Sequence, residues 1–144
     1  MNERSAGKSL LPPARLTFSL ASHAPVGVIL RQGPSRWVRM IQWDIARDKF
    51  EAGQWLHARV PNFDVSPDGK YVLTFVQGYR AKSELATWVA LSRPPWFSAL
   101  AVWSIGDSWG GGCAFLAPRS IYIGKGLTPV TLAKGKLRIV LQML

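Results

Sequence analysis

Residues 71–76 read Tyr71-Val72-Leu73-Thr74-Phe75-Val76, and the fold follows from how these side chains alternate. In an extended strand successive side chains point to opposite faces. One face then carries Tyr71, Leu73 and Phe75, and the other Val72, Thr74 and Val76. Both faces are mostly apolar, so this strand has to lie between two packed layers. It follows Ser66-Pro67-Asp68-Gly69, residues that favour a tight turn, and is therefore entered through a hairpin.

The same signals recur on either side. Val26 to Leu30 is a β-branched run closed by Gln32-Gly33-Pro34, and Trp37 to Trp43 is rich in strand formers. Thr87 to Leu91 and Phe97 to Trp103 are separated by Arg93-Pro94-Pro95, which must break a strand. Ala114-Phe115-Leu116 and Ile121-Tyr122-Ile123 flank Pro118-Arg119-Ser120, and Leu137 to Leu144 sets an apolar face (Leu137, Ile139, Leu141, Met143) against a mixed one. Only Ala46 to Phe50 and Ala81 to Ala86 suggest helix, about one turn each. Many short strands with Gly, Pro and Asp turns predict an all-β, antiparallel fold.

The strands also repeat. Thr17-Phe18-Ser19 answers Asp64-Val65-Ser66 at an offset of 47. Val28 to Gly33 answers Val72 to Gly78, ending at an offset of 45, and Trp37-Val38-Arg39-Met40 answers Trp88-Val89-Ala90-Leu91 at 51. A third copy begins at Val102-Trp103-Ser104 and continues through Gly112 to Leu116. A period near 45 with several strands per copy predicts about three stacked sheets, each covering an apolar face of its neighbour.

Asp64-Val65-Ser66-Pro67-Asp68-Gly69-Lys70-Tyr71 resembles the Ser-Pro-Asp-Gly turn of WD-repeat and related β-propellers, and Ile41-Gln42-Trp43-Asp44 resembles the Trp-Asp dipeptide that ends a blade strand. Ile45 to Phe50 then reads as the polar turn into the next strand. The likeness spans roughly residues 16–123 and lacks the Gly-His element of true WD repeats. Residues 31–116 are similar to an uncharacterised bacterial group. The shared features are the Trp-Asp strand, a Gly53-Gln54-Trp55 turn, the Ser-Pro-Asp-Gly turn, Ser92-Arg93-Pro94-Pro95, and Gly106-Asp107-Ser108-Trp109 running into Gly110-Gly111-Gly112. These resemblances imply propeller-like repeats and bring no activity. Propellers use about 4–8 blades, so three copies imply an incomplete or open ring. Another chain, either a different protein or a second copy, is then the expected partner.

The chain has 144 residues, 48% of them hydrophobic, which suffices for a core and excludes end-to-end disorder. Residues 1–15 read as a basic leader, 16–123 as the repeats, and 124–144 as a basic segment ending in a strand. No apolar run reaches the ~18 residues of a membrane span, and no secretory signal is apparent, so a cytoplasmic location is expected. The net charge is +10, concentrated in the ends: residues 119–144 carry five basic groups and no acid, while 61–118 balance.

Candidate chemistry is sparse. Asp64-x-Ser66-x-Asp68-Gly69 imitates a calcium loop, but its twelfth position is Phe75, inside the strand, so a turn is the better reading. Gly106-Asp107-Ser108 resembles the nucleophile block of serine esterases, with Gly110-Gly111-Gly112 amides as oxyanion donors. Its base would have to be His23 or His57, both upstream, so a wide turn is favoured. One cysteine, Cys113, and two histidines give no metal set, and no cofactor is implied. Gly124-Lys125-Gly126 lacks the Ser/Thr of a phosphate loop.

The spacing of Trp37, Trp43, Trp88 and Trp103 inside apolar strands favours core packing. Trp55, Trp96 and Trp109 lie beside turns and, with Arg93, are the expected surface binding residues. Arg31, Arg36, Arg39 and Arg59 near indoles suit an anion or edge protection. Lys125, Lys134, Lys136 and Arg138 are the polyanion candidates. The leading reading is a non-catalytic protein-binding module acting through loops at the sheet ends. A serine hydrolase built on Ser108, or a nucleic-acid or other polyanion binder using the basic C-terminal segment, are the alternatives.

Overall fold

Eleven strands and no helix occupy the regular elements of the computed structural model, which describes residues 13–79, 87–105, 112–124 and 130–131. They are β1 (Arg15–Leu20), β2 (Val26–Gln32), β3 (Val38–Asp44), β4 (Lys49–Leu56), β5 (Ala58–Val65), β6 (Val72–Gly78), β7 (Thr87–Ser92), β8 (Ala99–Ser104), β9 (Cys113–Ala117), β10 (Ser120–Ile123) and β11 (Val130–Thr131). They pair strictly in chain order as antiparallel meanders: β1 to β4, β5 to β8, and β9 to β11. The fold is all-β, in three consecutive open sheets. The helical expectation at Ala46 to Phe50 is corrected, because Ile45 to Asp48 form a tight turn and β4 starts at Lys49. Residues 81–86 lie outside the described residues.

The strand that decided the reading sits where its alternation requires. Val72 and Val76 of β6 join Ala58, Val60 and Val65 of β5 against Val28, Leu30, Val38 and Met40 of the first sheet. Leu73 and Phe75 join Val89, Leu91, Ala101 and Trp103 against Cys113, Ile121 and Ile123 of the third. The second sheet is therefore the middle of three layers. Burying a Val, Leu or Phe side chain stabilises by about 1.5–3 kcal/mol, so each interface supplies much of what a sheet of this size needs.

Register confirms part of the repeat and corrects the rest. Val28, Leu30, Val38 and Met40 occupy, in the first sheet, the places of Leu73, Phe75, Val89 and Leu91 in the second, and both sets face the next sheet. The offsets of 45 and 51 hold there. In the first strands Leu20 lies opposite Gly27 and Val65 opposite Val72, so Ser19 corresponds to Asp64 and the offset is 45, not 47. Val102 to Ser104 belong to β8 of the second sheet, and the third sheet begins only at Cys113.

Polar atoms fasten the first strands together. The Asp64 carboxylate accepts from Ser19 Oγ at 3.1 Å and from the Phe115 amide at 2.8 Å, tying β5 to β1 on one side and β9 on the other. β5 reaches this position by crossing the first sheet. It leaves β4 through the single residue His57, and its ladder with β6 breaks between Arg59 and Asn62. Pro61 has no N–H to pair there. The Gln32 side chain fills the gap, donating to the Val60 carbonyl and accepting from the Val60 amide, both at 2.9 Å.

A second seam joins the far edge of the first sheet to the β7–β8 connection. Gly53-Gln54-Trp55 is not a free turn; it lies within β4 at a register shift opposite β3. The Gln54 amide donates to the Pro95 carbonyl at 3.1 Å, and Gln54 Oε1 accepts from the Phe97 amide at 2.8 Å. A Cβ on Gly53 would overlap the Pro95 carbonyl oxygen, backbone that has no rotamer to yield. Gly53→Ala is expected to destabilise by about 1–3 kcal/mol, the usual cost of forcing atoms into a packed site. Urea unfolding should show this as a lower midpoint at unchanged slope.

Candidate functional site

The two ends of the sheets carry different chemistry. At one end the turns are closed on themselves. Ser66 Oγ donates to Asp68 Oδ1 at 2.6 Å and accepts from the Tyr71 amide at 2.9 Å, the Lys70 amide donates to Asp68, and Gly69 adopts a left-handed φ of 73°. A side chain on Gly69 would also meet Val26. Partial burial pushes the Asp68 carboxyl up, but the Ser66 hydroxyl, the Lys70 amide and the Lys70 ammonium outweigh it and hold the group below the usual carboxylate range. Asp64 is engaged with Ser19 and Phe115, so the two carboxylates of the calcium-loop imitation serve separate structural partners. Among the described residues no group of three or more His, Cys, Asp or Glu is placed to hold a metal ion.

Trp43-Asp44 ends β3 at this same end. The Trp43 indole donates to Asp48 Oδ1 at 3.0 Å and stacks on Phe50 at 5.5 Å, and Asp44 accepts from the Arg47 amide. Asp44 and Arg47 form the single ion pair among the described residues.

At the opposite end the described residues are basic and aromatic, with no carboxylate. Arg31 and Arg39 lie directly opposite one another across β2 and β3, and Arg15 pairs with Gln32 at the start of β1. Arg36 stands in the β2–β3 connection and Arg59 at the start of β5. Like charges directly opposite on a sheet destabilise it unless something neutralises them. Around these guanidiniums His57 is held between Trp37 at 4.9 Å and Tyr79 at 5.4 Å, and Arg36 covers the other side of the cluster, 5.1 Å from the Tyr79 ring. A cavity of about 280 Å³ opens beside them, lined by Arg15, Gln32, Arg59, Trp37 and Tyr79 together with the Gly33–Ser35 backbone. Across Trp37 lies an open apolar hollow of about 500 Å³, bounded by Ser35 and Trp55.

The third feature is a sheet face that none of the described residues covers. On the side of the first sheet away from the second stand Leu16, Phe18 and Leu20 of β1, Ile29 and Ile41 of the central strands, and Phe50 and Trp55 of β4. Phe18 is 68% exposed and Phe50 58%. Arg31 and Arg39 stand on the same side, in the row between Leu16 and Trp55, so the apolar part runs from Phe18 and Leu20 across Ile29 and Ile41 to Phe50. Exposed apolar surface of this kind marks an interaction site.

The expected site residues separate. Trp55 lies at the rim of the uncovered face with the Arg39 guanidinium 5.2 Å above its ring. Trp96 is exposed in the β7–β8 connection, next to the Pro95 that meets Gln54. Arg93 turns away to the Tyr71 ring at 5.9 Å. Trp109, Lys125, Lys134, Lys136, Arg138 and the Gly106-Asp107-Ser108 block lie outside the described residues. The core expectation holds for Trp103 and in part for Trp88, but fails for Trp43, which lies on the outer face of the first sheet outside both core clusters, and for Trp37. That residue stands just before β3 and is 46% exposed. Its aromatic cluster with His57 and Tyr79 joins three separate connections, a juxtaposition that no spacing in the sequence signals. Among the described residues no helix is long and apolar enough to cross a membrane.

No protein-family model matches the chain, and no curated protein is similar enough to it to count as a match.

Cys113 belongs to the core and not to any site. Burial pushes its thiol from 9.0 up to about 12, with the Asp64 charge adding to the effect, and both its amide and Sγ donate to Asn62 Oδ1. It should resist a thiol reagent at pH 8 in the native chain and react once denaturant is added. A thiol that stays protonated in the fold favours unfolding as pH rises above 9, so thermal stability should fall between pH 9 and 12 and recover part of the loss in Cys113→Ala.

Proposed function

We propose that this chain is a non-catalytic, β-propeller-type protein-binding module, and that its first partner is a second copy of itself. The observation that carries the reading is the uncovered outer face of the first sheet. By register it corresponds to the β5–β6 face of the second sheet, which is fully covered: Leu20 stands where Val65 stands, and Gly27 where Val72 stands. What covers that face in the second sheet is the forward face of the sheet before it. The same packing, continued from one chain to the next, calls for the forward face of a third sheet, which in this molecule exposes Leu116 and Tyr122.

Head-to-tail contacts close into a ring when the rotation between subunits divides a full turn. Two copies supply six sheets, within the ~4–8 blades of known propellers. The Ser-Pro-Asp-Gly and Trp-Asp turns support the propeller reading, since each closes a hairpin at the same end of its sheet. Against hydrolysis, neither histidine has an orienting carboxylate among the described residues: His23 Nδ1 is bonded to Ser22, and His57 is wedged between rings.

Light scattering on the 144-residue chain should give twice the monomer mass. Phe18→Lys, at an exposed position, should weaken self-association at least tenfold while leaving the far-ultraviolet spectrum unchanged. A well-folded monomer at high concentration would refute the pairing. Hydrolysis of an ester or peptide, lost in Ser108→Ala, would refute the non-catalytic reading.

A further inference from the structure

We propose that the basic, aromatic end of the first two sheets is a binding site for single-stranded nucleic acid, with phosphate held between Arg15 and Arg59 and a base stacked on Trp37. Neither guanidinium has a counter-ion among the described residues, although the cavity between them is wide enough, at about 280 Å³, for a phosphate group and its water. The other described residues of the cavity wall are neutral. Gln32 is already committed to Val60, and the turn from Gly33 to Ser35 contributes backbone.

Charge alone would fit any polyanion; the rings narrow the choice. Trp37 is 46% exposed, and one of its sides is already fixed by His57, so the indole is braced and does not need ordering when a base arrives. The apolar hollow on to Trp55 adjoins the cationic cavity along Trp37, and Arg39 lies above the Trp55 ring. Alternating cationic and flat apolar positions suit alternating phosphates and bases, because base–aromatic stacking is tolerant of sequence and the backbone is read by arginine. An acidic peptide would use the arginines and leave the rings idle. Trp55 is shared with the face assigned to self-association, but Arg15, Arg59 and Trp37 line the separate cavity, so Phe18→Lys tests one proposal and Trp37→Ala the other.

The test uses fluorescence anisotropy of a labelled oligodeoxythymidine of about 12 nucleotides, inside the length range of single binding folds. Binding should quench tryptophan emission and weaken steeply between about 50 and 200 mM salt. Trp37→Ala should cost about tenfold or more in affinity and Trp37→Phe much less, as stacking predicts. Arg15→Gln with Arg59→Gln should reduce the salt slope by about one to two. Phe18→Lys should bind as the parent does. Failure to bind overturns the proposal. So does binding that survives Trp37→Ala but is lost when Lys134, Lys136 and Arg138 are changed to alanine, which would place it on the C-terminal segment. Equal competition by polyglutamate would mean that the site reads charge and takes acidic protein instead.

Discussion

A strand with apolar side chains on both sides must be covered twice, and β6 imposes that requirement on the whole molecule. Five consecutive residues, Val72 to Val76, are buried, with valines facing one neighbour and Leu73 and Phe75 the other. Thr74 is the polar member of the run, and its buried hydroxyl has no partner among the described residues, a local cost. Once β6 is placed in the middle, the first and third sheets are bound to lie on opposite sides of the second. Each of them is then left with one face that its own chain does not cover among the described residues.

The polar links explain why the layers hold one orientation. A carboxylate that accepts from both neighbours, as Asp64 does, fixes the spacing of three first strands at once. Hydrogen bonds to a charged group contribute about 1.5–3 kcal/mol each, more than neutral ones. The interruption at Pro61 works with this arrangement. By releasing the Val60 backbone from β6, it lets Gln32 reach across and lets β5 slant over the first sheet from His57 to Ser19. The slant brings Arg59 alongside Arg15, and His57 between Trp37 and Tyr79. The basic aromatic end is thus a consequence of how the second sheet is joined to the first.

Much of this architecture was readable from residue alternation. Tyr71 to Val76 announced a middle layer, and the Ser-Pro-Asp-Gly turn and Trp43-Asp44 stand where a hairpin reading places them. β4 and β5 were not readable, because Gly53, Gln54, Pro61 and Asn62 are poor strand formers. Those residues stay extended only because β3, β6, Gln32 and Pro95 supply their hydrogen-bond partners. Trp37 and Trp88 share a local motif and differ in setting, since β7 begins one residue before its tryptophan and β3 one residue after. The cluster at the basic end is not legible in the sequence for a related reason. Its members come from connections whose geometry is set by sheet packing, while local sequence fixes only the strands between them.

Native-state hydrogen exchange tests the layered arrangement most directly. If β6 is the middle of three layers, the amides of Leu73 to Val76 should exchange only through global unfolding, with protection equal to the full unfolding free energy. Those of β1, on the edge of a sheet with an open face, should exchange through smaller openings. Equal, shallow protection across β1 and β6 would mean that the second sheet is not enclosed on both sides.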